Sequence, residues 1–217
     1  IPLALGIIFA PNLSAFQFEN FSQKKLIQNY NGKIIYVGGI GPGNYSKIQD
    51  AIDNASEGAI IFVFHGLYYE SVTISKQLYI SGEGKEMTII DAQKKGYTVN
   101  ISANGVTISG FTIQNGSYSS SLVNEANLFI FSSDNIITEN SFKYSESGIM
   151  LQNANGNIIS ENIMSYNDIG LWISGSKNIV TRNFITNNSD MGIDTFGSDN
   201  LISGNIVTNN KGTGLYF

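Results

Sequence analysis

The asparagines in the second half of the chain recur at a fixed interval, and that interval leaves few architectures open. Asn135-Ile-Ile-Thr-Glu-Asn140, Asn157-Ile-Ile-Ser-Glu-Asn162, Asn178-Ile-Val-Thr-Arg-Asn183 and Asn200-Leu-Ile-Ser-Gly-Asn205 begin 22, 21 and 22 residues apart. Gly148, Gly170, Gly192 and Gly214 follow at a constant spacing of 22. A sustained period of this length marks a stacked repeat. Between the markers lie only short alternating apolar runs, such as Gly170-Leu-Trp-Ile, which suit short strands and leave no room for helices. The reading is all-β: a right-handed parallel β-helix with three short strands in each coil of about 22 residues.

Coils in such a solenoid hydrogen-bond at about 4.8 Å, so residues one period apart lie directly over one another. Three inward apolar columns follow: Ile137, Ile159, Val180 and Ile202; Phe142, Met164, Ile185 and Val207; and Ile149, Leu171, Ile193 and Leu215. Asn140, Asn162, Asn183 and Asn205 are expected to form a side-chain amide ladder at one corner. Ahead of the regular coils, strands are expected at 60–64, 72–74, 78–80, 88–90, 99–101 and 106–113, with an excursion over Gly116–Glu125. Ile48, Ala51, Ile52 and Ala55 have helical spacing, with Ser46 as the expected N-cap. This N-terminal capping helix would cover strand edges that otherwise invite aggregation. The domain reading is a signal-peptide remnant at 1–15, an N-terminal segment with the capping helix at 16–56, and the parallel β-helix at 57–217.

Composition narrows the function classes. Charged residues make up 13% of the chain and the net charge is −5, so no basic stripe exists to neutralise phosphates and no nucleic-acid partner is expected. With no cysteine and one histidine, disulfides, thiolate sites and His-rich metal clusters are excluded. The apolar run 1–15, ending in small residues, looks like the hydrophobic region and cleavage site of a secretory signal, which predicts a secreted or cell-surface location, with an ordered apolar strand packed on the domain as the alternative. No later apolar stretch is long enough to span a bilayer as a helix.

The segments Ile35-Tyr-Val-Gly-Gly, Ile48-Gln-Asp-Ala-Ile-Asp-Asn-Ala, Gly66-Leu-Tyr-Tyr-Glu70, Ile80-Ser-Gly-Glu-Gly84, Thr88-Ile-Ile-Asp91 and Gly110-Phe-Thr-Ile-Gln-Asn115 resemble the first coils of pectin-lyase-like β-helix proteins. Over 35–217 the chain looks most like the NosD-type repeat proteins of archaeal and bacterial surfaces. That resemblance implies the fold firmly and the function loosely, because one fold carries many functions. Pectin methylesterases share these first coils, but their Gln-Asp-Thr-Leu-like and Val-Asp-Phe-Ile-Phe-Gly motifs are missing. Here Gln114-Asn115 is followed by Ser117-Tyr-Ser-Ser-Ser-Leu, and later Glu146-Ser-Gly-Ile-Met. The nucleophilic carboxylate of that mechanism has no counterpart. The Ca²⁺-carboxylate cluster and basic residue of pectate lyases are not evident around Arg182 either. NosD proteins are associated with copper delivery, and one His without Cys does not suit copper. No catalytic residue is assigned.

Function is therefore sought in outward columns. Phe129, Met150, Trp172, Asp194 and Tyr216, spaced by 21, 22, 22 and 22, are expected to form one outward stripe. It is the candidate ligand-binding face, with aromatic rings to stack on sugars and a carboxylate to orient them. Lateral packing is the competing reading. Glu146, Asp168 and Asp190, two residues before each glycine, are a candidate Ca²⁺ corner, against the plainer reading of solvated turns. No other cofactor is expected. Glu161 and Arg182 are expected to pair across the coils, and His65 to be a corner residue. Ile163, Phe184 and Ile206 form a second outward apolar stripe, which favours lateral self-association or a partner. The chain stops mid-coil at Gly214-Leu-Tyr-Phe217, which predicts truncation from a longer protein, with end-to-end stacking as the alternative. Asn115-Gly-Ser and Asn187-Asn-Ser are glycosylation sequons. The expected function is a non-catalytic extracellular module that binds a polysaccharide or a cell-surface protein, or builds a surface layer. The alternative is a polysaccharide-active lyase, hydrolase or epimerase.

Overall fold

Short β-branched segments separated by polar corners fold here as successive rungs, each contributing one strand to each of three parallel sheets. The computed structural model describes residues 34–117 and 125–217, which fall within the compact unit Gly32–Phe217. The expected leader at 1–15 and the central part of the excursion at 118–124 lie outside the described residues.

The first sheet begins with Ile34–Val37 and Ile60–Val63 and runs through Ile136–Thr138, Ile158–Ser160 and Ile179–Thr181 to Leu201–Ser203. The second begins with Gly66–Tyr68 and runs through Ser141–Lys143, Ile163–Ser165 and Phe184–Thr186 to Ile206–Thr208. The third runs from Val72–Ile74 and Val99–Ile101 through Ala126–Ile130, Ser147–Gln152, Ile169–Ser174 and Ile193–Thr195 to Leu215–Tyr216. Every strand pairing is parallel, and the register is the one the sequence period demands. Ile137 faces Ile159, Ile159 faces Val180, and Val180 faces Ile202. The three inward columns are fully buried through Ile137, Phe142 and Ile149 and their next two neighbours, whereas Ile202, Val207 and Leu215 in the last rung are partly open.

Two local expectations are corrected. Residues 106–113 do not form one strand but two, Thr107–Ser109 and Thr112–Gln114, because Gly110 (φ +78°) turns a corner between them. The inward residues Ile108, Phe111 and Ile113 carry the core through that corner, which hides it in the sequence. The helix forms at Ile48–Asn54 and buries Ile48, Ala51 and Ile52, but Ser46 does not cap it. The N-cap position is Lys47, and the Glu70 carboxylate accepts from the backbone N–H groups of Ile48 (2.9 Å) and Gln49 (3.1 Å). A carboxylate at the positive end of the helix satisfies donors that have no partner within it.

Asparagine closes the corners. Asn140 Nδ2 donates to Asn162 Oδ1 (3.3 Å), Asn162 to Asn183 (3.1 Å) and Asn183 to Asn205 (2.9 Å). Each Oδ1 also accepts from the backbone N–H of the asparagine in the rung before, as Asn162 Oδ1 does from Asn140 N at 3.0 Å. Two further ladders, Asn135–Asn157–Asn178–Asn200 and Asn167–Asn188–Asn210, repeat the pattern at the other corners. The glycine register follows from this packing. A Cβ at Gly170 would stand 2.5 Å from Ile185 Cγ2 and 2.6 Å from the Gly192 carbonyl oxygen, so only a hydrogen fits.

Candidate functional site

The outward column of the third sheet is assembled as its spacing requires. Phe129 is in register with Met150, Met150 with Trp172, Trp172 with Asp194 and Asp194 with Tyr216. Exposure divides it in two. Phe129 and Met150 (2% exposed) are buried in a satellite cluster with Ala126, against which Tyr97 and Trp172 pack. The column is continuous in register as expected, but at this end it is covered by packing. The cause is Tyr97, ahead of strand Val99–Ile101, whose ring stacks on Phe129 at 4.4 Å and 8°. Nothing in the repeat foretells a ring folded over from outside the strand.

The other half remains accessible at its rims. Trp172 is half-buried, and Tyr216 is 47% exposed. Phe196 (61% exposed) joins them, 5.9 Å from Trp172 and 6.3 Å from Tyr216 between ring centroids. Sequence reading missed Phe196, although it stands two residues beyond Asp194 and alternation puts both on one face. Asp194 itself is 5% exposed, and among the described residues no hydrogen bond reaches its Oδ1. Burial, and then the charge of Asp190, raises its pKa above the ordinary carboxylate value. The Trp172, Phe196 and Tyr216 rings thus stand beside a carboxyl group whose Oδ1 is buried without a donor among the described residues.

The acidic corner also stacks, since the backbone N–H of Asp190 donates to the Asp168 carbonyl and that of Ile169 to Glu146. Glu125 extends the column, through the Ser147 N–H donating to its carbonyl. Glu146 has a raised pKa, chiefly from burial and next from the charge of Glu125. Asp168 accepts from Ser189 Oγ. Among the described residues, no group of three or more His, Cys, Asp or Glu converges enough to hold a metal ion.

Beside this corner lies a groove of about 520 Å³, lined among others by Tyr166, Asp168, Asn187, Ser189, Asn209 and Lys211. The exposed rings of Tyr144 and Tyr166 stack at 5.8 Å along its approach. Elsewhere, Arg182 pairs with Glu161 at 2.8 Å as expected, on an exposed face where such a bridge contributes little. His65 is exposed, with Nδ1 2.8 Å from Glu83 Oε2. Phe184 and Ile206 are exposed in register with Ile163, and a stripe not read from the sequence, Ile158, Ile179 and Leu201, lines the first sheet.

Comparison with known proteins agrees with this architecture. The chain is 38% identical over 74 residues to a cell surface glycoprotein of Methanothermus fervidus, a match covering 33% of this chain and 12% of that protein. Its fold is similar to that of pectin methylesterase from carrot, with a TM-score of 0.52 and 14% identity over 85% of this chain and 88% of that one. The pectin methylesterase PemA from Erwinia chrysanthemi aligns at 15% identity and a TM-score of 0.47, over 72% of this chain and 66% of that one. At these identities the likeness concerns the fold alone. The family model for the right handed beta helix region matches residues 78–217, and the chain belongs to that family.

Proposed function

We propose that this chain is a non-catalytic cell-surface module that binds neutral glycans across Trp172, Phe196 and Tyr216. The carrying observation is the half-open cluster of the Trp172, Phe196 and Tyr216 rings beside Asp194. Aromatic faces stack on the C–H surfaces of sugars. Acidic glycans suit the site poorly. The charge of Asp190 reaches Asp194, Glu146 and Asp168 follow along the corner, and the net charge is −5. A uronate polymer would meet like charge.

The surface location draws on the expected secretory leader and on the relative named as a cell surface glycoprotein. Likeness to the NosD-type proteins is part of the same reading, as is lateral association through the outward apolar stripes. The structural neighbours are named as pectin methylesterases, but Asp194 is flanked in register by Trp172 and Tyr216, not by a second carboxylate or an arginine. The test is a panel of neutral polysaccharides and polygalacturonate, assayed for binding and for release of unsaturated ends or methanol. Binding of a neutral polymer without product release is expected. Turnover of a pectic polymer would replace this reading with the enzymatic one.

A further inference from the structure

Five Asn-x-Ser triplets occur among the described residues, headed by Asn44, Asn54, Asn100, Asn115 and Asn187. Their side chains are in different situations. Asn44 Nδ2 donates to the Gly38 carbonyl at 2.7 Å, and Asn54 Nδ2 to the Asp50 carbonyl at 2.8 Å. Asn115 Nδ2 is tied to Asp91 Oδ2 at 2.8 Å, while Asn100 is half-buried inside strand Val99–Ile101. Asn187 is exposed and makes no side-chain hydrogen bond among the described residues.

Asn115 has the same left-handed corner conformation (φ 55°), so what distinguishes Asn187 is the lack of an acceptor such as Asp91 beside it among the described residues. Tyr144, Tyr166, Asn187 and Asn209 stack in one column with φ of 66°, 59°, 57° and 56°. The left-handed turn throws each side chain off the solenoid, whereas the next residue, Asn188, turns inward as a buried rung of the amide ladder. Asn187 and Ser189 line the groove together with Tyr166, Asn209 and Lys211.

We infer that Asn187 is the N-glycosylation acceptor of this module and that the groove beside it cradles the first sugar. Resting on the surface location proposed above, the step is transfer from a lipid-linked oligosaccharide diphosphate. A bond forms between Asn187 Nδ2 and the anomeric carbon as the carbon–oxygen bond to the diphosphate breaks. The diphosphate leaves with the electron pair, and the transferase takes one Nδ2 proton. The attached sugar then has the Tyr166 ring to stack on and the Asn209 amide to hydrogen-bond.

The experiment has two arms. In the first, the purified folded protein is incubated with an oligosaccharyltransferase and its lipid-linked donor, and glycopeptides are mapped by mass spectrometry. Asn187 should be occupied and Asn115 bare, and Ser189→Ala should abolish occupancy at Asn187 while leaving the circular dichroism spectrum unchanged. Melting temperature should rise on modification, and Tyr166→Ala should remove that rise without removing the glycan. A bare Asn187 in this arm, or a glycan on Asn115 in its place, overturns the assignment. In the second arm the chain is expressed with an export signal in a host carrying the same transferase. Occupied Asn187 in the exported protein supports both readings. Modification in the first arm with no export in the second upholds the acceptor and overturns the surface location.

Discussion

Asp194 is where a single side chain most clearly departs from what a repeat needs. Its neighbours in register are aromatic, it is almost fully buried, and its Oδ1 accepts nothing among the described residues. Burial and the charge of Asp190 both disfavour the ionised form, so its pKa is raised in the folded chain. The folded state then binds the proton more tightly than the unfolded one. Stability is fullest below the unfolded value, near about 3.9 for Asp, and is lost as pH rises through the folded pKa. Glu146 acts in the same direction, with Glu125 as its charged neighbour, while Asp168 and Asp190 continue the column beside them. Asp194→Asn should therefore melt at a higher temperature than the wild type at neutral pH, and the gap should shrink on acidification towards about pH 4. Scanning calorimetry across this range checks it, and a pH-independent gap would count against a charge-based cause.

At the scale of the element, the amide ladders carry the corners. Asn162 donates to the Ile137 carbonyl at 2.8 Å and to Asn183, and accepts from the backbone and side chain of Asn140. Asn162→Ala would leave several buried polar groups without partners, at about 1–3 kcal/mol each, so a loss of roughly 2–5 kcal/mol is expected in urea melts. A loss under about 1 kcal/mol would mean that water replaces the amide. This ladder was legible in the sequence because the same triplet context surrounds each asparagine. The ladder through Asn167, Asn188 and Asn210 was not, because Ser145 takes the preceding place and breaks the column. The helix was legible from its spacing, but its cap was not. Glu70 is 22 residues from Ile48, and only the coiling of the chain brings them together. The same limit applies at the candidate site. Spacing put Phe129, Met150, Trp172, Asp194 and Tyr216 in one column, but the stacking of Tyr97 over Phe129, which decides what stays open, comes from residues outside the period.

At the scale of the whole molecule, each rung contacts its neighbours in the stack, so ligands act on stability through the face they bind. The acidic corner gives one check. Its carboxylates do not converge, so millimolar Ca²⁺ should leave the melting temperature of the wild type unchanged. A rise that Asp168→Asn removes would mean that the corner closes on the ion. The central claim is that the open half of the third-sheet column receives a neutral glycan, and calorimetric titration of wild type, Trp172→Ala and Phe196→Ala with the best neutral ligand tests it most directly. Both substitutions fall on the outer face and should leave the fold intact, as seen by circular dichroism. The account predicts that each weakens binding by about 1–3 kcal/mol, the range of aromatic stacking platforms, and that polygalacturonate does not compete. Binding unaffected by either substitution, or a preference for the uronate polymer, would contradict it.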